Sequence, residues 1–139
     1  PGSDRDNEEL RKLWKPILDE FKVDLVLSGH DHTYARTGQV DTTDLTNVPT
    51  GYQQAYDPNI GTVHVVSVSG PKMYGISKGN YAKRVAEYTQ LYQIIHVDDK
   101  SLKYEAYEAT GKLYDKFTLQ KRKGMPNLLL EALPSENRK

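Results

Sequence analysis

Val23-Asp-Leu-Val-Leu-Ser-Gly-His-Asp-His-Thr-Tyr-Ala-Arg36 (VDLVLSGHDHTYAR) is the stretch on which the fold turns. Its first six residues, 23–28, form a β-rich run in which Val23, Leu25 and Leu27 point one way and Asp24 and Val26 the other. Upstream, Leu10, Leu13, Trp14, Ile17, Leu18 and Phe21 fall at the spacing of one apolar helical face. Asp6 is the candidate N-cap, with Glu9 as its capping-box partner. Pro16 lies inside this helix and predicts a kink or restart, because it cannot donate to the Lys12 carbonyl. A helix feeding a strand within two residues points to an α/β layer.

Downstream, residues 41–61 are poor in apolar side chains and read as a long surface loop. Thr62 to Ser69 is a second, more apolar strand, and Gly70 to Gly79 a loop. Three strands follow at 91–97, 102–108 and 113–119, alternating with period two and broken by Asp- or Gly-containing turns. They form an antiparallel meander. Met125 to Leu133 reads as a short helix closed by Pro134. The expected fold is therefore a mixed α/β half-sandwich, mostly β. Its helix would pack through Leu10, Trp14, Leu18 and Phe21 onto a sheet holding 23–28 and 62–69.

Composition bounds the function. The chain has 139 residues, 19 basic and 19 acidic, and no cysteine. Balanced charge argues against a nucleic-acid partner, and the lack of thiols removes disulfides and zinc–thiolate sites. The longest purely apolar run is Leu128 to Leu130, against about 20 residues for a membrane-spanning helix. No membrane partner is expected. Leu, Ile, Val and Phe are sparse, and the ten tyrosines supply much of the core. Tyr88, Tyr92, Tyr104, Tyr107 and Tyr114 are read as cross-strand packing.

The chemistry sits after the first strand, in Gly29-His30-Asp31-His32. In extended chain, residues two apart project to the same side, so His30 and His32 are candidate metal ligands. The carboxyl end of a strand in an α/β sheet is where ligands gather. A bare His-x-His is common in surface loops, and the context separates this one: apolar strand, Gly-His-Asp-His, then Tyr34 and Arg36. Asp31 is a candidate turn residue or orienting partner of an imidazole. Tyr34 and Arg36 either line a phosphate pocket or, respectively, pack and form a surface ion pair. Lys72, Met73 and Tyr74 either shape a substrate mouth or make an ordinary loop. His64 and His96, inside strands, read as structural or exposed.

These residues resemble the GHxH motif of the calcineurin-like metallophosphoesterases, and Tyr34 with Arg36 resembles its purple acid phosphatase branch. The Leu10-Arg-x-x-Trp14-x-Pro16 helix, the Gly61–Tyr74 stretch and the segment from Tyr88 through Phe117 are similar to the same family, covering roughly residues 6–120. The resemblance implies a two-sheet sandwich flanked by helices and a dinuclear centre of Fe, Zn or Mn type. His30 and His32 would each ligate one ion, and the substrate would be a phosphate ester attacked by an activated hydroxide. It also favours a periplasmic or secreted protein.

The family's other ligand motifs, GDxG, GDxxY and GNH(D/E), are missing, and Gly79-Asn80-Tyr81 does not fit the last. The expectation is thus residues 1–120 as the C-terminal half of a catalytic domain and 121–139 as a tail. The metal centre would be absent or partial, the isolated chain inactive, and self-association expected through an uncovered sheet. The competing expectation is a non-catalytic β-rich binding or structural module in which His-x-His is incidental.

Overall fold

A computed structural model describes residues 8–40, 61–76 and 82–132. The expectations for Asp6 and for the 41–60 loop lie outside these residues. Helix α1 (Glu8–Glu20) leads into strand β1 (Leu25–Ser28), followed by β2 (Tyr34–Val40), β3 (Thr62–Val66) and β4 (Arg84–Ala86). The rest is β5 (Leu91–Val97), β6 (Ser101–Glu108), β7 (Leu113–Arg122) and β8 (Met125–Glu131). Two four-stranded sheets result, ordered β1-β3-β2-β4 and β5-β6-β7-β8.

The second sheet is antiparallel throughout, as the period-two pattern predicts. The first is mixed: β1 runs parallel to β3, and β2 is antiparallel to both β3 and β4. The inward faces meet in one core of Tyr34, Val63, Val65, Ala86, Leu91, Tyr104, Ala106, Tyr114, Phe117 and Leu119. Tyrosine does supply much of it. Tyr104 stacks on the directly opposite Phe117 at 4.7 Å, and Tyr92 on the opposite Tyr107 at 5.5 Å.

Two expectations are corrected. Residues 125–131 form a strand, not a helix, so the second sheet continues past residue 120. Gly124, at φ 70°, closes a tight turn that returns the chain beside β7. Pairing then overrides the helix-forming tendency of the leucine run.

The second correction concerns how α1 packs. It continues through Pro16 as one helix. It ends with Lys22 at φ 52°, while the Val23 N–H donates to the Leu18 carbonyl at 2.8 Å, a Schellman-type cap built without glycine. Its apolar stripe does not pack on the sheet: Trp14 is 54% and Phe21 72% exposed, and Leu10 and Leu13 are exposed too. Only Leu18 of the expected contacts is half-buried. The buried residue is Lys15, 2% exposed, which pairs with Asp19 one turn on at 3.2 Å and acts electrostatically on His64 of β3. The outer sheet face carries His64 and the Thr37 hydroxyl, which accepts from the His64 N–H at 3.0 Å. Lys15 is the α1 residue whose charge reaches that face.

Candidate metal centre

The strand directions build the site. Because β1, β3 and β4 all run the same way, the segments leaving their carboxyl ends arrive at one edge of the first sheet. Those segments are 29–33, 67–76 and 87–90. The first carries the two histidines. The ladder is extended by Ser67 N–H donating to the Ser28 carbonyl at 3.3 Å and by the Ser28 hydroxyl donating to the Val65 carbonyl at 3.2 Å.

His30 is exposed and sits at φ 72°, a left-handed conformation that costs a non-glycine residue free energy and concentrates at functional turns. Residues 30–33 form a bend, so the extended-chain argument that put both imidazoles on one side does not hold here. Each histidine instead takes its position from its own surroundings.

His32 is half-buried and held from three directions. Its Nδ1 lies 2.6 Å from the Lys72 carbonyl oxygen. A carbonyl only accepts, so Nδ1 carries a proton, and in the neutral ring Nε2 keeps the lone pair. Its ring meets that of Tyr74 at a centroid distance of 4.9 Å. Its own carbonyl accepts from the Tyr74 N–H at 2.8 Å. Lys72 returns its ammonium over the Tyr74 ring at 5.4 Å. The loop is braced in turn by the third segment: Ile76 N–H donates to the Glu87 carboxylate at 2.9 Å, and Tyr88 N–H reaches the Tyr74 carbonyl at 3.4 Å. Gly75 permits this approach, since a Cβ there would stand 3.1 Å from the Tyr88 hydroxyl.

The donor set fits part of a metal site. A neutral imidazole with one nitrogen donating to a carbonyl presents the other as a ligand for zinc, iron and similar ions. Among the described residues no group of three His, Cys, Asp or Glu gathers to complete a coordination sphere. Asp31 is half-buried between the two histidines. His64, on the outer face of β3, and the exposed His96 lie away from these loops in sequence and on strands of different sheets.

Tyr34 and Arg36 do not line an open pocket. Both are sealed between the sheets, Arg36 at 1% exposure. Arg36 Nε donates to Asp115 Oδ2 at 2.6 Å, its Nη2 to Oδ1 at 3.1 Å, and its Nη1 to Glu131 at 2.6 Å. The Tyr34 hydroxyl donates to the same Asp115 oxygen at 2.7 Å. Burial opposes the Arg36 charge, but hydrogen bonds and attraction from Asp115 outweigh it and raise the guanidinium's affinity for its proton. Burial likewise raises the Tyr34 phenol, with the charge of Asp115 adding to it. Arg36 is thus an ion-paired residue of the interior, where a surface pair or a phosphate contact was expected. Asp115 was not singled out in the sequence. Its signal is the inward register it shares with Phe117 and Leu119 on β7, since a carboxylate in that row demands a buried cation.

No family model matches the chain. A protein of Arabidopsis thaliana named probable inactive purple acid phosphatase 1 is 29% identical over 119 residues, 82% of this chain and 18% of its own length. Uncharacterised proteins from two strains of Mycobacterium tuberculosis are each 36% identical over 66 residues, 44% of this chain and 12% of their length. The structure of a purple acid phosphatase from yellow lupin (Lupinus luteus) seeds shares 25% identity, with a TM-score of 0.49, over 82% of this chain and 20% of that one. The chain spans less than a fifth of the length of the curated relatives it matches. With a Gly-His-Asp-His turn at the carboxyl end of a parallel strand, the chain is similar over most of its length to a protein named as a purple acid phosphatase.

Proposed function

We propose that this chain supplies two metal-binding imidazoles, His30 and His32, to a dinuclear-metal phosphoric ester hydrolase of the purple acid phosphatase type, and that alone it hydrolyses no ester. The observation that carries the reading is the 2.6 Å contact of His32 Nδ1 with the Lys72 carbonyl, which in the neutral ring turns Nε2 over to a ligand at the end of the sheet where three strand-following segments meet. A metal pair held there would neutralise phosphoryl charge and acidify a water molecule. This chain's residues hold and orient: His32 is clamped by the 72–74 loop, and His30 is exposed on its turn. The two imidazoles fall short of the four or more ligands an ion of this kind takes. The name of the Arabidopsis relative, inactive, is in keeping with a fold of this type that does not turn over substrate.

The test is kinetic. The 139-residue chain, supplied with Fe(III), Zn(II) or Mn(II), is expected to release p-nitrophenol from p-nitrophenyl phosphate no faster than the metal ions alone. A longer polypeptide that carries this chain together with the aspartate-bearing ligand motifs is expected to do so, and to stop on chelation. In it, His30→Ala and His32→Ala each lower the rate at least tenfold, while His64→Ala and His96→Ala at pH 7 leave it largely intact. Robust hydrolysis by the His30→Ala/His32→Ala double variant overturns the assignment.

We also infer that the chain self-associates, through the apolar face of α1 in place of the sheet face first expected. Leu10, Trp14, Ile17 and Phe21 recur at alternating steps of four and three, the spacing of a seam between two helices. Antiparallel pairing of two copies sets Leu10 against Phe21 and Trp14 against Ile17. It also brings Glu9 opposite Lys22 and Lys12 opposite Asp19. All four side chains are exposed, Phe21 at 72%, and together they form a contiguous apolar stripe of the kind that marks an interaction surface. Light scattering is expected to report a dimer that Trp14→Glu/Phe21→Glu converts to monomer. A parent chain that stays monomeric at high concentration refutes this.

A further inference from the structure

Tyr74 looks at first like a candidate for the substrate mouth. We propose instead that Tyr74 is the positioning residue of His32: with the Lys72 carbonyl it locks the imidazole as the Nδ1–H tautomer and presents Nε2 for a metal ion. This rests on the reading of His32 as a ligand and goes beyond it, because it names what decides which nitrogen binds.

Three contacts converge on His32, two of them on its ring. The Lys72 carbonyl fixes the proton on Nδ1, at 2.6 Å. The Tyr74 ring, at 4.9 Å and inclined by 30°, covers the imidazole and limits its rotation about the Cβ–Cγ bond. The Tyr74 N–H, donating to the His32 carbonyl at 2.8 Å, fixes the distance between the two backbones, so the ring contact and the carbonyl contact are set together. A ring flip would carry Nδ1 away from Lys72 and leave that carbonyl without its partner. The free alternatives for an imidazole on an exposed turn are both tautomers and several rotamers. The loop removes them before any ion arrives, which lowers the ordering cost of binding.

Tyr74 is itself held from behind. Its carbonyl receives the Tyr88 N–H at 3.4 Å, and the next turn of loop is tied down by Glu87 through Ile76 N–H at 2.9 Å. Gly75 sits between, against the Tyr88 hydroxyl. The segment following β4 therefore sets the position of Tyr74, and Tyr74 sets that of His32.

The experiment reads the tautomer and the affinity separately, on the 139-residue chain. Long-range ¹H–¹⁵N correlation spectra of metal-free protein at pH 8 should show His32 protonated at Nδ1. Tyr74→Ala should give a mixed or Nε2-protonated signal, with amide dispersion elsewhere unchanged, and Tyr74→Phe should keep the parent pattern. Calorimetric titration with Zn(II) should show roughly a tenfold weaker affinity in Tyr74→Ala and near-parent affinity in Tyr74→Phe. An Nε2-protonated His32 in the parent, or a Tyr74→Ala variant with the parent's tautomer and an affinity within twofold of it, overturns the proposal. If His32→Ala leaves Zn(II) affinity unchanged, the ligand reading fails, and the tautomer spectra still decide whether Tyr74 positions the ring.

Discussion

Asp115→Ala is expected to lower the unfolding free energy by about 3–5 kcal/mol, the cost of removing one partner from a buried ion pair. Both Arg36 and Asp115 are 1% exposed. Asp115 receives two guanidinium hydrogen bonds and the Tyr34 hydroxyl. Alanine would leave a guanidinium between two sheets with Glu131, the Thr37 carbonyl and the Phe117 ring, 5.3 Å from its centre, as its remaining partners among the described residues. Tyr34→Phe should cost only about 1 kcal/mol, since it removes one hydrogen bond and leaves the ion pair intact. Replacing all three residues at once, by Tyr34→Phe, Arg36→Met and Asp115→Leu, should lose less than Asp115→Ala alone, because no unpaired charge stays buried. Urea denaturation of the three proteins checks the order. An Asp115→Ala midpoint matching the parent, or a triple variant weaker than the single, contradicts the account.

That cluster marks the limit of what the sequence could give. Tyr34 and Arg36 follow the histidine motif directly, which invited a reading in terms of substrate. Asp115 lies 79 residues from Arg36, and nothing local pairs them. The motif itself was legible, because a strand, a glycine and two histidines are neighbours in the chain. The meander was legible for the same reason: strands 91–97, 101–108 and 113–122 each carry their own alternation and their own turn.

The short strands Tyr34–Val40 and Arg84–Ala86 were not, since they lack an apolar run and exist by pairing with each other and with 62–66. The 125–131 segment failed differently. Three consecutive leucines have no period, and the informative residue was Gly124 in front of them. For α1 the periodicity located the helix and its stripe correctly but could not say which face meets the sheet. That depended on Lys15, which is buried and acts electrostatically on His64 of β3. The hold of Lys72 and Tyr74 on His32 needed the parallel pairing of 25–28 with 63–66, which delivers two loops to one edge.

His64 should make the protein lose stability as pH falls. Burial, and then the Lys15 ammonium, push its pKa down from 6.5 to about 4. Its Nε2 is buried without a hydrogen-bond partner among the described residues. The folded protein therefore keeps the ring neutral where the unfolded chain would protonate it. A depressed histidine pKa means the unfolded state binds the extra proton first. The stabilising contribution is complete above pH 6.5 and drains away between 6.5 and about 4. At pH 4.5 the loss should be about 2–3 kcal/mol, from the roughly 1.4 kcal/mol carried by each pKa unit. Below pH 4 the protonated His64 would add a second positive charge within reach of Lys15. His64→Gln keeps a polar side chain of similar reach and cannot take the proton. Urea midpoints at pH 7.0 and 4.5 should therefore separate in the parent and move closer together in His64→Gln. Equal acid losses in the two proteins would assign the pH dependence to other groups and return His64 to a passive place under the helix.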